Sequence, residues 1–209
     1  MPAYLVHGHA SAPTGTTSEE DAGVGEATYS FTGTMNGAGR ALCYGVFGLA
    51  QGTGDVGSAL RVATEHLLRD TYLPLLPWDA TERPNTLDVI ASVVNLSQEA
   101  LTGLAIAVIL DQRAYIGWHG EGRAYLLTDE TIEHLAAGST EVVASHTLTP
   151  GASILLCSSG LWRNLPDAEI HEVVTQAGSV QEACSELVNR ASWHDSPDRP
   201  LVLIVRYPE

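Results

Sequence analysis

The segment SILLCSSGLW, residues 153–162, ends an apolar run on two hydroxyl side chains. Strands that stop this abruptly often present a charged side chain to a site, and the residue presented here is Ser159. Its hydroxyl is not predicted to be a nucleophile, because the segment lacks the G-x-S-x-G turn of the serine hydrolases. Ser159 therefore marks a possible site position at which a carboxylate would be expected.

A second possible chemistry is metal binding by histidine. His7 and His9 are spaced to lie on one side of a strand, where they could hold Zn²⁺ or Ni²⁺. Two ligands do not make a site, and no CxxC or HExxH motif accompanies them. Ordinary surface or core histidines are the simpler interpretation.

Composition limits the classes of function. The 209 residues include 10 basic and 25 acidic side chains, which gives a formal net charge of −15. An acidic surface repels phosphate, so binding to nucleic acid or to an anionic membrane is not expected. The sequence predicts neither a spanning helix nor a signal peptide, which favours a cytoplasmic location. Three cysteines indicate buried free thiols rather than a disulfide framework.

Apolar patterning predicts the elements that would position Ser159. Strands are predicted over 26–33, 41–50, 123–127, 153–157 and 201–207. A hairpin is predicted over 103–118, with its turn at Asp111 and Gln112. Helices are predicted from Val56 to Leu67, from a cap at Thr86 to Leu101, over 167–178 with a cap at Asp167, and over 179–191 with a capping box of Ser179 and Glu182.

The order of these elements favours an α+β fold. A parallel sheet needs a helix after each strand, and the strands in the middle of the chain lack one. Antiparallel sheets packed under helices are therefore predicted, in one domain that spans residues 1–209.

Four segments in order resemble the metal-dependent serine/threonine protein phosphatases of type 2C. YGVFGLAQG (44–52) resembles FAVADGMGG, and AYIGWHGEGRAYLL (114–127) resembles LYVANVGDSRAYLL. LTPGASILLCSSGLWRNLPDAEIHEVV (148–174) resembles L-x-PGDRLLLCSDGLTD…EEI, and SPDRPLVLIVRY (196–207) resembles DNITVVVVR. The resemblance implies a four-layer αββα sandwich, in which two stacked antiparallel sheets are flanked by antiparallel helices. It also implies two Mg²⁺ or Mn²⁺ ions at one edge of the sheets, sharing a water that attacks phosphoserine or phosphothreonine.

Most carboxylates of that metal centre are missing from this sequence. In the alignment the bridging Asp falls at Gly48, the following Gly at Leu49, and the Asp of SDG at Ser159. Asp198 is the surviving ligand, and its neighbour Arg199 carries a fixed positive charge. Because Mg²⁺ and Mn²⁺ are hard cations that need anionic oxygen ligands, the alignment predicts a degenerate site that binds no metal cofactor.

The substrate side of the site is changed as well. The arginine that would hold the substrate phosphate aligns with Thr16, whose hydroxyl cannot replace a guanidinium fork. Asp21 is retained, and a further metal-binding Asp of the family falls near Gly138. The chain is therefore predicted to be a pseudophosphatase that acts by binding or regulating a protein, such as a phosphoprotein or a member of a kinase pathway.

Two alternatives stay open. Asp21, Glu121 and Asp198 could hold one Mn²⁺ or Mg²⁺ in a rearranged active phosphatase, or the fold could serve only to assemble a structural complex. The simpler roles of these carboxylates are a solvated acidic run at residues 19–21, a Glu121 that is solvated or paired with Arg123, and a turn at Asp198. Trp118 is predicted to fill the core near the vacated site, and a partner surface is its alternative role.

Overall fold

A computed structural model describes residues 5–11, 24–37, 40–72, 85–97, 101–135, 142–193 and 198–208. Over these residues ten strands form two five-stranded sheets, and every neighbouring pair of strands is antiparallel. The first sheet has the strand order β1 (Val6–Ser11), β10 (Leu201–Arg206), β9 (Ser153–Cys157), β6 (Arg123–Leu127), β7 (Ile132–His134). The second sheet has the order β2 (Val24–Gly37), β3 (Arg40–Thr53), β4 (Leu101–Leu110), β5 (Arg113–Gly120), β8 (Val142–Thr147).

Five α-helices accompany the sheets in the described ranges. They are α1 (Val56–Leu67), which continues into a π-helical turn over Leu68–Tyr72, α2 (Thr86–Ser97), the single turn α3 (Ser159–Trp162), α4 (Asp167–Gln176) and α5 (Val180–Ser192). No helix among the described residues is both long and apolar enough to cross a membrane.

Three layers of buried apolar side chains hold these elements together. The layer between the sheets includes Phe47, Trp118 and Leu156. A second layer packs α1 and α2 on the second sheet, and a third packs α4 and α5 on the first sheet. This arrangement is the predicted αββα sandwich. Trp118 is only 2 % exposed and fills the layer between the sheets, which confirms the prediction of a core residue.

Local signals explain why most elements begin and end where they do. The Ser179 hydroxyl accepts a hydrogen bond from the Glu182 amide at 3.1 Å, and the Glu182 carboxylate accepts one from the Gly178 amide at 3.0 Å. The helix α5 therefore begins at the predicted capping box, with the return bond made one residue earlier than usual. The β4–β5 hairpin turns at Asp111 as predicted, with a positive φ of 54° that Asp tolerates.

Other boundaries differ from the predictions. The cap of α2 is Asn85, whose side-chain oxygen accepts a hydrogen bond from the Leu87 amide at 3.1 Å, and Thr86 is the first helical residue. Leu101 opens β4 instead of extending α2, because a single apolar residue at helical spacing also fits the start of a strand. Asp167 lies in the first turn of α4 and not at its cap, where its charge complements the helix dipole.

The strand β8 and the short helix α3 were not predicted. All three cysteines are free and buried, as predicted.

Candidate functional site

The chain after β9 is fastened to the chain before β10 by Ser158. Its hydroxyl donates to the Arg199 carbonyl at 2.9 Å and accepts from the Leu201 amide at 2.8 Å. The next glycine, Gly160, lies so close that an added Cβ would stand 2.2 Å from the Arg199 carbonyl carbon. Hydroxyl and glycine together press the first turn of α3 against the entry to β10, and this contact fixes the edge of the sandwich where Ser159 lies.

Arg163 joins two acidic side chains at this edge. One guanidinium nitrogen donates to the Glu121 carboxylate at 2.6 Å, and another donates to the Asp198 carboxylate at 2.8 Å. Glu121 follows β5 and Asp198 precedes β10, so the arginine links a loop of each sheet. Exposed fractions of 46 % for Arg163, 47 % for Glu121 and 29 % for Asp198 place this network at the surface of the site.

Trp162 lies beside this ion-pair network. Its indole nitrogen donates to the Glu121 carbonyl at 3.1 Å. The guanidinium carbon of Arg123 lies 3.5 Å from the centre of the indole ring, and that of Arg163 lies 5.1 Å from it. Both separations are within the range of cation–π attraction. Trp162 therefore holds two arginines in place at the edge of the sandwich.

A second polar pair lies where β2 and β3 reach the same edge. The Gln51 amide donates to the Glu26 carboxylate at 3.1 Å. Burial raises the pKa of Glu26 above its ordinary value, while the hydrogen bond from Gln51 and the charge of Arg199 act in the opposite direction. The positive charge of Arg199 thus acts on the Glu26 carboxyl. Arg199 directly follows Asp198, a position at which the alignment places a metal ligand.

The positions expected to replace metal ligands lie in different environments. Ser159 is 3 % exposed within α3. Leu49 is buried in the layer between the sheets. Gly48 faces the other way, because a Cβ added there would lie 2.9 Å from a methyl carbon of Leu60 in α1. A carboxylate at position 48 would therefore point toward the helices and away from the space between the sheets.

The carboxylates of the alternative metal site are only partly covered by the structure. Glu121 and Asp198 are brought together, but through Arg163. Of the two simpler roles expected for Glu121, pairing with Arg123 is wrong, since Arg123 stacks on Trp162 and Glu121 pairs with Arg163, while the Glu121 side chain is 47 % exposed to solvent. Thr16, Asp21, the acidic run at residues 19–21 and Gly138 lie outside the described residues.

Arg163 is the residue that the sequence reasoning missed. Its signal was present in the aligned segment, because the family pattern reads SDGLTD where this chain reads SSGLWR. Arg163 thus takes the place of a second acid in the same motif. Hydrophobic patterning does not detect a charge reversal in a loop. The two acidic partners of Arg163 also lie 42 and 35 positions away in the sequence, so no local motif connects them with Arg163.

The side chains described at this edge do not fit a divalent cation. A guanidinium already occupies both carboxylates, and the adjacent hydroxyl of Ser159 is a neutral ligand. Within the described ranges, no three His, Cys, Asp or Glu residues are close enough to share a metal ion. His7 shares a hydrogen bond of 3.1 Å with Ser30.

Comparison with solved structures identifies bacterial serine/threonine phosphatases. The catalytic domain of the phosphatase PstP in complex with two manganese ions is 18 % identical, with 90 % of this chain and 99 % of that chain covered and a TM-score of 0.51. The serine/threonine phosphatase of S. agalactiae is 15 % identical over 99 % of this chain and 100 % of its own, with a TM-score of 0.61. PppA, described as a key regulatory component of T6SS in Pseudomonas aeruginosa, is 18 % identical over 88 % of this chain and 97 % of its own, with a TM-score of 0.56.

These similarities establish the fold. The chain has the two-sheet architecture of these phosphatases, in agreement with the resemblance found in the sequence. No protein-family model matches the sequence, and no curated protein matches it significantly.

Proposed function

We propose that this chain is a catalytically inactive relative of the type 2C phosphatases, and that it acts by binding or regulating another protein. The observation that carries the proposal is the position of Arg163 between Glu121 and Asp198. Its fixed positive charge neutralises the two carboxylates, as a metal ion would otherwise do. A second cation at the same place would be repelled by the guanidinium.

The chemistry of the family explains why this exchange abolishes catalysis. A guanidinium has no open coordination position, so it cannot bind and polarise a water molecule as a metal ion does. It neutralises the carboxylates and holds the loops together without generating a nucleophile. Ser159, the first residue of α3, adds no negative charge to the site. No cofactor is part of the proposed function.

A partner surface is available beside the ion pairs. Trp162 is half-buried and carries Arg123 on its ring. Flat aromatic and arginine side chains are enriched where proteins bind each other, since they bury large areas without losing much rotamer freedom. One structural neighbour, PppA, is described as a regulatory component, which is compatible with a regulatory role for this fold. We place the partner contact at Trp162 and Arg123. A phosphoprotein or a protein of a kinase pathway is the expected partner, because the fold is that of protein phosphatases.

The test is a calorimetric titration of metal-free protein with Mn²⁺, followed by p-nitrophenyl phosphate turnover on the same sample. We expect no saturable binding at the site and no turnover. Asp198→Ala is the matched control, because weak binding of Mn²⁺ to the acidic surface would persist in it. Tight binding and turnover that both disappear in Asp198→Ala would refute the proposal and establish the rearranged phosphatase.

A further inference from the structure

A cavity of about 280 Å³ opens at the edge of the first sheet that lies opposite Ser159. Its walls come from the end of β6, the start of β9, the end of β10 and the last turn of α4. The strand β10 begins shortly after Asp198, and its 6 residues carry the chain about 17 Å to Arg206 in the cavity wall. The cavity and the ion pairs of Arg163 therefore lie at opposite ends of one strand, so a ligand in the cavity would leave the edge at Asp198 free.

Two neutral groups hold the guanidinium of Arg206 in this wall. Its Nε donates to the Ser153 hydroxyl at 3.3 Å, and its Nη2 donates to the Val174 carbonyl in the last turn of α4 at 3.1 Å. A guanidinium has five N–H donors, so three of them are left for other partners. Among the described residues no carboxylate pairs with Arg206, whereas four other arginines there form ion pairs with acids. Arg206 therefore offers the cavity a positive charge that the described acids do not compensate.

The hydroxyl of Ser153 is a second donor in the same wall. Ser153 is only 2 % exposed, and its oxygen accepts the hydrogen bond from Arg206. Its own hydroxyl hydrogen has no acceptor among the residues that the structure describes. A buried donor without an acceptor is unfavourable, so this hydroxyl favours a ligand that accepts. A guanidinium beside a hydroxyl donor is an arrangement that suits a carboxylate, whose two oxygens accept several hydrogen bonds.

Asp129 determines the other charge that the ligand must carry. It lies in the turn between β6 and β7, it is exposed, and it lines the same cavity as Arg206. Within the described ranges it pairs with no cation, and it does not pair with Arg206 across the cavity. A simple anion at Arg206 would meet the charge of Asp129 and of a chain with a net charge of −15. A ligand with an ammonium group beside its carboxylate would compensate both charges of the wall.

We propose that this cavity binds a free α-amino acid, with its carboxylate at Arg206 and Ser153 and its ammonium group at Asp129. The volume suits such a small ligand, because it lies just below the range of about 300–1,000 Å³ for pockets that hold drug-sized molecules. Leu127 and Val174 supply apolar wall for the carbon atoms of the ligand. A zwitterion has no net charge, so the acidic surface does not repel it. The proposal does not depend on whether the edge at Asp198 is catalytic.

Thermal unfolding in the presence of each standard L-amino acid, of acetate and of inorganic phosphate tests the class of ligand. We expect at least one amino acid to raise Tm, by about 3–6 °C at roughly ten times its dissociation constant. Acetate and phosphate should bind more weakly, because neither has an ammonium group to pair with Asp129. The amide of the same amino acid lacks the carboxylate, so its dissociation constant should be about tenfold higher or more. Its N-acetyl derivative lacks the ammonium group and should bind as weakly as acetate.

Calorimetric titration of variants with the same amino acid locates the site. Arg206→Gln should raise the dissociation constant about tenfold or more. Arg61→Gln removes the same charge from the exposed face of α1 and should leave the affinity unchanged. Asp129→Asn alters an exposed turn residue, so the fold is retained. It should weaken binding of the amino acid by about 1.5- to 5-fold and strengthen binding of acetate, because the two ligands differ in the group that meets Asp129.

The outcomes that contradict the proposal are distinct. If no amino acid raises Tm, the cavity does not bind this class of ligand. A rise in Tm that Arg206→Gln leaves unchanged would overturn the proposal as well, because the ligand would bind elsewhere. Acetate or phosphate that binds as tightly as the amino acid, and more tightly in Asp129→Asn, would identify a simple anion site instead. Should Arg206→Gln fail to fold, the opposite effects expected of Asp129→Asn on the two ligands decide the question.

Discussion

Replacing Arg163 by alanine measures how much the internal guanidinium stabilises the site. The side chain makes two ion pairs, at 2.6 and 2.8 Å, and stands 5.1 Å from the ring centre of Trp162. Exposed ion pairs contribute about 0.2–1 kcal/mol each, and an exposed cation–π contact about 0.5–1 kcal/mol. The variant should therefore lose about 1–3 kcal/mol of unfolding free energy. For a chain of this length that loss lowers Tm by about 2–12 °C.

Arg61→Ala is the matched control. Arg61 pairs with Glu65 at the same distance, 2.8 Å, on the outer face of α1, with exposed fractions of 58 % and 55 %. A single pair of this kind within one helix contributes only about 0.3–0.5 kcal/mol. Thermal unfolding of wild type and both variants at low and high salt is the assay. The extra loss in Arg163→Ala should shrink at high salt, because the ion pairs are partly screened.

The cause of the loss can be isolated with a double-mutant cycle. If Arg163 compensates Asp198, then Arg163→Ala should cost less in the Asp198→Asn background than in wild type, with a coupling of about 0.5 kcal/mol or more. An Arg163→Ala loss no larger than that of Arg61→Ala, or strict additivity with Asp198→Asn, would refute the view that Arg163 takes over the role of a cation here.

Three further predictions concern the frame of the site. Gly48→Asp should lower the unfolding free energy by about 3 kcal/mol or more, and Gly48→Ala should lower it by less. A Cβ at this position stands 2.9 Å from a leucine methyl of α1, and a carboxylate would in addition be buried among apolar groups. Chemical denaturation measures the unfolding free energy of both variants. Ser158→Ala should cost about 2–4 kcal/mol, since it leaves the buried Leu201 amide and a carbonyl without their partner, whereas Ser185→Ala on the exposed face of α5 should change stability by less than about 0.5 kcal/mol in the same assay. Glu26→Gln should raise Tm at pH 7, because the raised pKa of Glu26 means that ionisation of this carboxyl costs stability as pH rises through its folded-state pKa. The gain should vanish below the ordinary value of 4.5, where the carboxyl is protonated in both states, and a gain independent of pH would contradict this assignment.

The sequence by itself carries most of the fold, because the signals involved are local. The hairpin at Asp111 and the capping box of Ser179 and Glu182 each depend on residues within a few positions of one another. Such signals define strands and helices, and their order allows few topologies. The sequence also predicted a site position just after β9, since the position after an apolar strand can be recognised without knowing its neighbours.

Only the tertiary structure decided which side chains meet at that edge of the sandwich. The direction of Gly48 depends on which face of β3 meets α1, and the alignment contains no information about that face. The ion pairs of Arg163 connect residues 42 and 35 positions apart, and they exist because Ser158 and Gly160 hold α3 against the entry to β10. Long-range contacts of this kind are set by how the sheets stack, so a cation that serves both carboxylates becomes visible only when the two loops are placed side by side.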